Sequence, residues 1–229
     1  MLFLNDFFNC CTKQYKFGHC PNTIMNTREK ILDQALKMFN ERGIEYVGLR
    51  ELAAELDIRV GNITYYFATK DDLVFELSKE LSQRNGEAMV EEKEITLLRF
   101  LEMMKGMFYN QLHYRCLLLS VVHVMRQNKL VAAAYKKTYG QRTATIQVNL
   151  EALHESGYLV FENEEEKEYL LSMTSIIGRF WISEAAVSFK NMPEAAQVKF
   201  YLTQLAKTIH PFASVKGRKE IKKFIEGLS

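Results

Sequence analysis

The segment from Leu49 to Leu73 constrains the fold more than any other part of this 229-residue chain. Apolar residues at helical spacing predict one short helix over Leu49–Leu56 and a second over Val60–Tyr66. Asp57 lies between them, where a tight turn needs a residue that tolerates left-handed backbone angles. In a helix-turn-helix of this kind, the second helix lies in the DNA major groove while the first crosses the backbone.

An amphipathic helix precedes this segment, and a longer helix follows it. Thr27–Arg42 repeats apolar residues on one helical face, and Gly43 is expected to end this helix by adopting a positive φ. We expect Thr27 to be the N-cap, with Lys30 where a capping-box Glu would stand, so the predicted cap is only partial. A further helix is expected from Lys70 or Asp71 to about Val90.

The outward face of the second short helix carries side chains suited to reading base edges. Arg can bind guanine through two hydrogen bonds, Asn can pair with adenine, and Thr can contact the thymine methyl group. Tyr and Lys side chains at the end of the helix are placed to contact phosphates, which fix the register on the duplex. The predicted DNA-binding residues are Arg59, Val60, Gly61, Asn62, Thr64, Tyr65, Tyr66 and Lys70. We assign residues 26–72 to this DNA-binding unit, called the reading head below.

Charge favours DNA binding only through its distribution along the reading head. The chain has a formal net charge of +2, and residues 26–70 hold seven basic and seven acidic residues. From Ile58 to Lys70, however, there are two basic residues and no acidic one. A local positive face can bind phosphates on a neutral domain, although composition alone would fit an ordinary mixed surface equally well.

Residues 73–229 are predicted to form a larger helical body. Apolar periodicity indicates helices at about 95–113, 115–127, 129–156, 164–191 and 194–210, followed by a short surface helix after Ser214. Only three prolines and eleven glycines occur in the chain, and no run of about 18 uncharged apolar residues indicates a membrane span. The predicted fold class is all-α, with a three-helix helix-turn-helix domain joined to a helical bundle for ligand binding and dimerisation.

The first 25 residues differ from both units. Asn5 and Asp6 interrupt their apolar start, and they lack the basic region and the small-residue cleavage site of a signal peptide. We expect the functional chain to begin near Met25, with residues 1–25 a leader that is either disordered or not native. An apolar arm that packs on the body is the alternative interpretation.

Cysteine usage favours a reduced, cytoplasmic protein. Three of the four cysteines fall within the first 20 residues, and Cys116 lies alone in an apolar helical run. The group Cys10, Cys11, His19 and Cys20 can be imagined as metal ligands, but its spacing matches no common zinc pattern. We therefore expect neither a metal nor a cofactor.

The whole N-terminal pattern resembles the TetR family of bacterial transcription regulators. The resemblance covers about residues 27–75, while the body agrees with the family in length and helicity only. It implies a homodimer, a palindromic operator, and repression that a small molecule relieves. The motifs that carry it are Thr27–Gly43 (TREKILDQALKMFNERG), Leu49–Ala53 (LRELA), Gly61, and Tyr65-Tyr66-Phe67 with Lys70 and Leu73.

Two departures from the family pattern bear on DNA recognition. Val47-Gly48 stands where many members have a Thr or Ser that caps the second helix and touches phosphate, so one backbone contact is expected to be weaker. Arg59 and Tyr66 stand where the family often has Ser and His, which is expected to alter sequence preference.

A sensing function requires a cavity in the body. Methionine side chains adapt to varied apolar ligands, although a methionine and aromatic stripe at helical spacing is also typical of ordinary core. The predicted pocket residues are Met103, Met104, Met107, Phe108, Met125, Phe180 and Trp181.

The resemblance to TetR regulators also implies a dimer interface on the last two large helices, about 164–191 and 194–210. Their apolar faces could form a four-helix interface with a symmetry mate. A monomeric body would instead bury the same residues internally. The residues predicted for this interface are Met173, Ile177, Phe200 and Leu205.

These observations favour a dimeric, sequence-specific DNA-binding regulator that is a repressor released from a palindromic operator by a small apolar or amphipathic ligand. The alternative is a helix-turn-helix regulator without an effector pocket, controlled by a protein partner. An enzyme is not expected, because no carboxylate pair, histidine cluster or activated nucleophile is evident.

Overall fold

The computed structural model describes residues 26–92 and 94–228, and this part of the chain is all-α, as predicted. It contains eleven α-helices and two 3-10 turns, Ile44–Tyr46 and His210–Phe212. Predictions for the leader, including Cys10, Cys11, His19 and Cys20, fall outside the described residues. The helices are α1 Thr27–Arg42, α2 Leu49–Glu55, α3 Val60–Tyr66, α4 Lys70–Ala88, α5 Leu97–His113, α6 Arg115–Leu119, α7 Val121–Gln127, α8 Lys129–Glu155, α9 Glu164–Ser188, α10 Glu194–Ile209 and α11 Val215–Glu226.

The N-terminus of α1 corrects the predicted cap. Asn26, not Thr27, is the N-cap: its side-chain oxygen accepts a hydrogen bond from the Glu29 amide at 3.0 Å. The Glu29 carboxylate in turn accepts a hydrogen bond from the Asn26 amide at 3.0 Å. Asn caps helices better than Thr, and the acidic side chain three residues on completes a reciprocal capping box.

The turn between α2 and α3 forms as the sequence predicts. Asp57 adopts a φ of 51°, the only positive φ outside glycine in the described residues. This left-handed residue lets the Ile58 amide donate a hydrogen bond to the Ala53 carbonyl at 3.0 Å. Ile63 and Phe67 are buried beneath α3, so they hold this helix against the rest of the reading head.

The core of the reading head continues into the body. Tyr114, Cys116, Leu117, Val124 and Val131, which belong to or adjoin α6, α7 and α8, are buried in one apolar cluster with the reading head's own core. We call this group the shared cluster. Its reading-head members include Ile31, Leu36, Phe39, Leu52, Ile63 and Phe67. The reading head is therefore seated on the body through continuous apolar packing.

Cys116 illustrates the environment of the shared cluster. Its thiol is buried, and this burial raises the pKa of Cys116 to about 12. A thiol of such high pKa stays protonated and behaves as a small apolar side chain.

A second apolar cluster fills the distal part of the body, around α5, α9, α10 and α11. The predicted helix at 115–127 is two helices, because the backbone at Ser120 leaves the α-helical geometry. The C-terminal helix α11 is amphipathic rather than purely superficial, since it buries Ile221 and Phe224. None of the described helices is long and apolar enough to cross a membrane.

Candidate nucleic-acid interface and effector cavity

The predicted DNA-binding residues belong to α3, to its N-cap Arg59 and, for Lys70, to the first turn of α4. Arg59, the N-cap residue of α3, is exposed, as are Gly61, Asn62, Thr64, Tyr65 and Tyr66. Tyr65 is 83% exposed, whereas Val60 and Lys70 are half-buried. A helix of only seven residues thus has one buried anchor side and one polar, solvent-facing side.

Local contacts on this face leave most of its polar groups available. The Thr64 hydroxyl donates a hydrogen bond to the Gly61 carbonyl at 3.3 Å, and the rings of Tyr65 and Tyr66 meet edge to face at 4.9 Å. A Cβ placed on Gly61 would meet no atom within 4 Å. Packing inside the chain therefore does not require glycine here, and the open space leaves room for close approach of another molecule.

Lys70 makes contacts that the sequence did not predict. Its ammonium donates hydrogen bonds to the carbonyl oxygens of Ile44 and Glu45 at 2.9 and 3.4 Å. An ammonium carries three donors, so one is left over after these two bonds. The contacts tie the start of α4 to the 3-10 turn between α1 and α2.

The N-terminus of α2 is stabilised by Glu51, which compensates for the absence of a Thr or Ser cap at Val47-Gly48. The Glu51 carboxylate accepts hydrogen bonds from the Gly48 amide at 2.9 Å and from Arg42 at 2.7 Å. The hydrogen bond from Gly48, followed by that from Arg42, lowers the pKa of the Glu51 carboxyl. The sequence signal for this cap is Glu three residues after Gly48, which is the N3 position of α2.

A cavity of about 470 Å³ lies in the body and is lined by residues of α4 to α9. Of the seven residues predicted for a pocket, Met107 and Met125 line this cavity. The other five are not among its lining residues. Met103, Met104, Phe108 and Trp181 are packed in the distal core, and Phe180 is on the surface, 41% exposed.

The distal packing of α5 explains why its aromatic and methionine residues do not all face the cavity. Phe108 stacks on Trp181 with ring centroids 4.9 Å apart and planes inclined by only 4°. The Trp181 indole donates a hydrogen bond to Gln111 at 2.6 Å, and Gln111 donates one to the Gly178 carbonyl at 2.7 Å. These contacts hold α5 against α9, and Gln111 and Gly178 also line the cavity.

Sequence reasoning missed the charged and aromatic polar residues of the cavity. Arg142 and Arg179 line it, together with Tyr135 and Tyr139. The Arg142 guanidinium lies 5.2 Å from the Tyr135 ring centroid, and that of Arg179 lies 4.5 Å from the Tyr139 centroid. The spacing of Tyr135, Tyr139 and Arg142 along α8, at i, i+4 and i+7, was the available signal. Arg179 comes from a different helix, so local periodicity could not reveal it.

Two side-chain amides connect the cavity region to the reading head. Asn128 accepts a hydrogen bond from the Val131 amide and donates one to the Asp71 carbonyl, both at 2.9 Å. Asn40 donates to the His113 carbonyl at 2.8 Å and accepts from the Cys116 amide at 3.0 Å. Each amide therefore joins one element of the reading head to one of the body.

The four residues predicted for a dimer interface differ in how far they are buried within their own chain. Leu205 is 0% exposed and belongs to the distal core, so its own chain already covers it. Met173, Ile177 and Phe200 are half-buried. The exposed apolar residues of α9 follow a single helical stripe, which consists of Tyr169, Ile176, Phe180 and Val187.

Two protein-family models match the chain. One, described as "Bacterial regulatory proteins, tetR family", matches residues 31–77, and the other, described as "Bacterial transcriptional repressor", matches residues 78–221. A protein of Bacillus subtilis (strain 168) described as "Probable HTH-type transcriptional regulator YttP" is 36% identical over 56 residues. That match spans 24% of this chain and only 27% of the relative.

Solved structures share the fold along most of the chain. A TetR-family transcriptional regulator from Marinobacter aquaeolei VT8 aligns with a TM-score of 0.81 at 19% identity, covering 89% of this chain and 99% of that one. The SmeT–triclosan complex aligns with a TM-score of 0.56 at 13% identity, covering 82% of this chain and 92% of that one. SmeT is described as the repressor of a Stenotrophomonas maltophilia multidrug efflux pump. At these identities the likeness establishes the fold alone.

Proposed function

The chain belongs to the TetR family of bacterial transcriptional regulators, and is thus a DNA-binding regulator and not an enzyme; we propose that it represses transcription as a homodimer on a palindromic operator. A small amphipathic ligand bound in the cavity of the body releases the operator. One observation carries this proposal: Val124 lines the cavity and also belongs to the shared cluster that seats the reading head.

Operator recognition is assigned to the outward face of α3. Arg59, Asn62 and Thr64 contact base edges, since their donors, acceptors and methyl group suit the major groove. Tyr65, Tyr66 and Lys70 contact phosphates and fix the register. Val60 and Gly61 allow close approach of the helix, in keeping with the open space around Gly61. Two such helices in a dimer bind half-sites about one helical turn apart.

Release is assigned to movement of α7. A ligand that occupies the cavity contacts Val124 and Met125 of α7 and displaces this helix. Asn128, which follows the end of α7, donates a hydrogen bond to the Asp71 carbonyl at the start of α4, so the displacement reaches the reading head. The ligand must bind the released conformation more tightly than the DNA-bound one, because only differential affinity can shift an equilibrium. The triclosan complex of SmeT supports a ligand-binding body in this fold.

Dimerisation is assigned to α9 and α10. The exposed stripe of Tyr169, Ile176, Phe180 and Val187 offers one continuous apolar surface, flanked by the half-buried Met173, Ile177 and Phe200. Two copies related by a two-fold axis would bury this stripe against itself.

Selection of bound duplexes from a random pool tests the DNA-binding part of the proposal. The purified full chain is expected to enrich two inverted half-sites, and failure to retain any duplex at low ionic strength would contradict the proposal.

A thermal-shift screen then tests the effector part, since a ligand that binds the native state raises the melting temperature. A compound that raises it and also weakens operator binding supports ligand control. Operator release by a protein partner, with no response to small molecules, would support the alternative regulator without an effector pocket.

A further inference from the structure

We propose that the effector is an amphipathic organic anion, with its charged head group bound by Arg142 and Arg179 and its apolar part against the methionine and valine wall of the same cavity. This inference rests on the proposed function, since it names the chemical class of the ligand that releases the operator. Three independent features of the cavity carry it: its charge, its unpaired polar atoms and its apolar lining.

The charged side chains that line the cavity are all positive. Lys79, Arg142 and Arg179 line it, whereas no Asp or Glu does so among the described residues. Lys79 is paired with Glu76 at 2.9 Å, but neither arginine forms an ion pair within the part of the chain that the structure describes. Charged groups that are partly removed from water are costly unless a counter-charge compensates them. An anionic ligand would supply that counter-charge.

Aromatic packing holds the two guanidinium groups without neutralising them. The Tyr135 and Tyr139 rings stack with their centroids 6.1 Å apart. Arg142 lies over the Tyr135 ring and Arg179 over the Tyr139 ring. A cation over a ring face is stabilised by the quadrupole of the ring, while guanidinium donors remain suited to a carboxylate or phosphate. Burial lowers the pKa of Arg142, and the charge of Arg179 lowers it further. Since the two arginines lie over the stacked rings of Tyr135 and Tyr139, we infer that one anion can contact both.

Unpaired polar atoms also face this cavity. Asn85 is 5% exposed and Thr174 is 0% exposed, and both line the cavity. The Asn85 side-chain oxygen and the Thr174 hydroxyl have no hydrogen-bond partner among the described residues. Buried polar atoms are paired in nearly all native proteins. A ligand with a polar group beside its anionic head would satisfy them.

The apolar part of the cavity lining argues against a purely inorganic anion. Met107, Val124, Met125 and Val131 form an apolar wall that offers no partner to a hydrated ion. Methionine adapts its shape to apolar ligands, and a volume of about 470 Å³ falls within the range of small-molecule sites. The cavity thus fits a ligand with one charged end and one apolar end.

A pair of fluorescent dyes that differ in charge provides the first test. Anilinonaphthalene sulfonate carries an anionic group, and phenylnaphthylamine has the same aromatic rings without it. The double variant R142Q R179Q is expected to bind the sulfonate roughly 10- to 100-fold more weakly, because charge-assisted hydrogen bonds are lost. Its affinity for the neutral dye should change by less than about threefold, since the apolar wall is intact.

The matched control is the double variant R99Q R115Q. It removes two arginines that pair with Glu92 and Glu194 outside the cavity, so it should bind both dyes as the native chain does. Equal weakening of both dyes in R142Q R179Q, or no weakening of the sulfonate, would overturn the proposal. Circular dichroism spectra of all three proteins establish that the comparison is made between folded chains.

Displacement from the native chain gives a second test that needs no variant. Decanoate and decyl phosphate are expected to displace the sulfonate dye at concentrations at least about tenfold lower than decanol or decylamine. The better of the two anions identifies the head group as carboxylate or phosphate. Equal displacement by decanol, or displacement by none of the four, overturns the proposal. Because these assays contain no DNA, their failure is distinguishable from failure of operator binding.

Discussion

The side-chain amide of Asn128, at the corner between α7 and α8, donates a hydrogen bond of 2.9 Å to the main-chain carbonyl of Asp71, in the first turn of α4. Asn128 is buried and also caps α8 through the Val131 amide. Asn128 therefore links three helices: it follows the end of α7, caps the start of α8, and is hydrogen-bonded to the start of α4. This arrangement makes Asn128 the sharpest test of coupling between ligand and DNA.

Replacement of Asn128 by Ala is expected to reduce the effect of an effector on operator affinity. It should also lower the free energy of unfolding by about 2 kcal/mol, because both the helix N-cap and the hydrogen bond to Asp71 are lost. Asn163→Ala is the matched control, since Asn163 caps α9 through the Glu166 amide without contacting the reading head. Fluorescence anisotropy with and without effector measures the coupling. An equal effector response in both variants would contradict a coupling role for Asn128.

Lys70→Ala and Arg59→Ala are expected to weaken DNA binding in different ways. Loss of Lys70 should weaken binding to every duplex and reduce the slope of affinity against salt by about one, as for a phosphate contact. Loss of Arg59 should instead relax sequence preference at one position of each half-site, at a cost of about 1–3 kcal/mol. Titrations of each variant with the operator and with mutated operators, at several salt concentrations, distinguish the two effects.

The control for these DNA-binding variants is Lys222→Ala on α11, which removes an exposed positive charge far along the chain. It should leave both the affinity and the salt slope unchanged. If Lys70→Ala and Arg59→Ala lost the same affinity on every duplex, the assignment of Arg59 to bases and Lys70 to phosphates would be refuted.

Gly217→Ala is expected to destabilise the body. A Cβ at Gly217 would lie 2.4 Å from the Tyr158 carbonyl oxygen, so α11 or its neighbour must shift, at a cost of about 1–3 kcal/mol. Gly140→Ala, in the open middle of α8, meets nothing within 4 Å and should stabilise the chain by about 0.5–1 kcal/mol. Urea denaturation measures both changes. Destabilisation of similar size in the two variants would rule out steric contact as the cause.

Ile176→Glu combined with Phe180→Glu is expected to yield a monomer that binds the operator weakly, because both residues belong to the exposed stripe of α9. Leu205→Ala should instead cost about 2–5 kcal/mol of stability, since it leaves a cavity in the distal core. Light scattering after size-exclusion chromatography measures the oligomeric state. Val215→Glu, another exposed apolar position, serves as the control. A dimer that survives the double substitution would place the interface elsewhere.

The reading head was predictable from sequence because its signals are local. Val60–Tyr66 was predicted with the observed bounds, since apolar periodicity and the turn at Asp57 both act within a few residues. The α1 cap was misassigned because the capping box begins one residue earlier, at Asn26. That error concerns a single hydrogen-bonded turn and leaves the fold unchanged.

The cavity was much less predictable, because its lining depends on how distant helices meet. Met103 and Met107 are one turn apart on α5, yet only Met107 lines the cavity, while Met103 is packed in the distal core. Arg142 and Arg179 belong to different helices, and no local pattern brings them together. Leu205 shows the same limit, since periodicity identifies an apolar face without saying whether its own chain or a second copy covers it.

The arginines of the cavity are at positions 142 and 179, whereas the lining residues that belong to the shared cluster are Leu117, Val124 and Val131. Mutations at the two arginines can change which compound is recognised while the residues of the shared cluster stay intact. Descendants of one ancestral protein could in this way acquire new inducers through a few substitutions. An engineer who wishes to redirect the response should likewise begin at positions 142 and 179 and leave Val124 untouched.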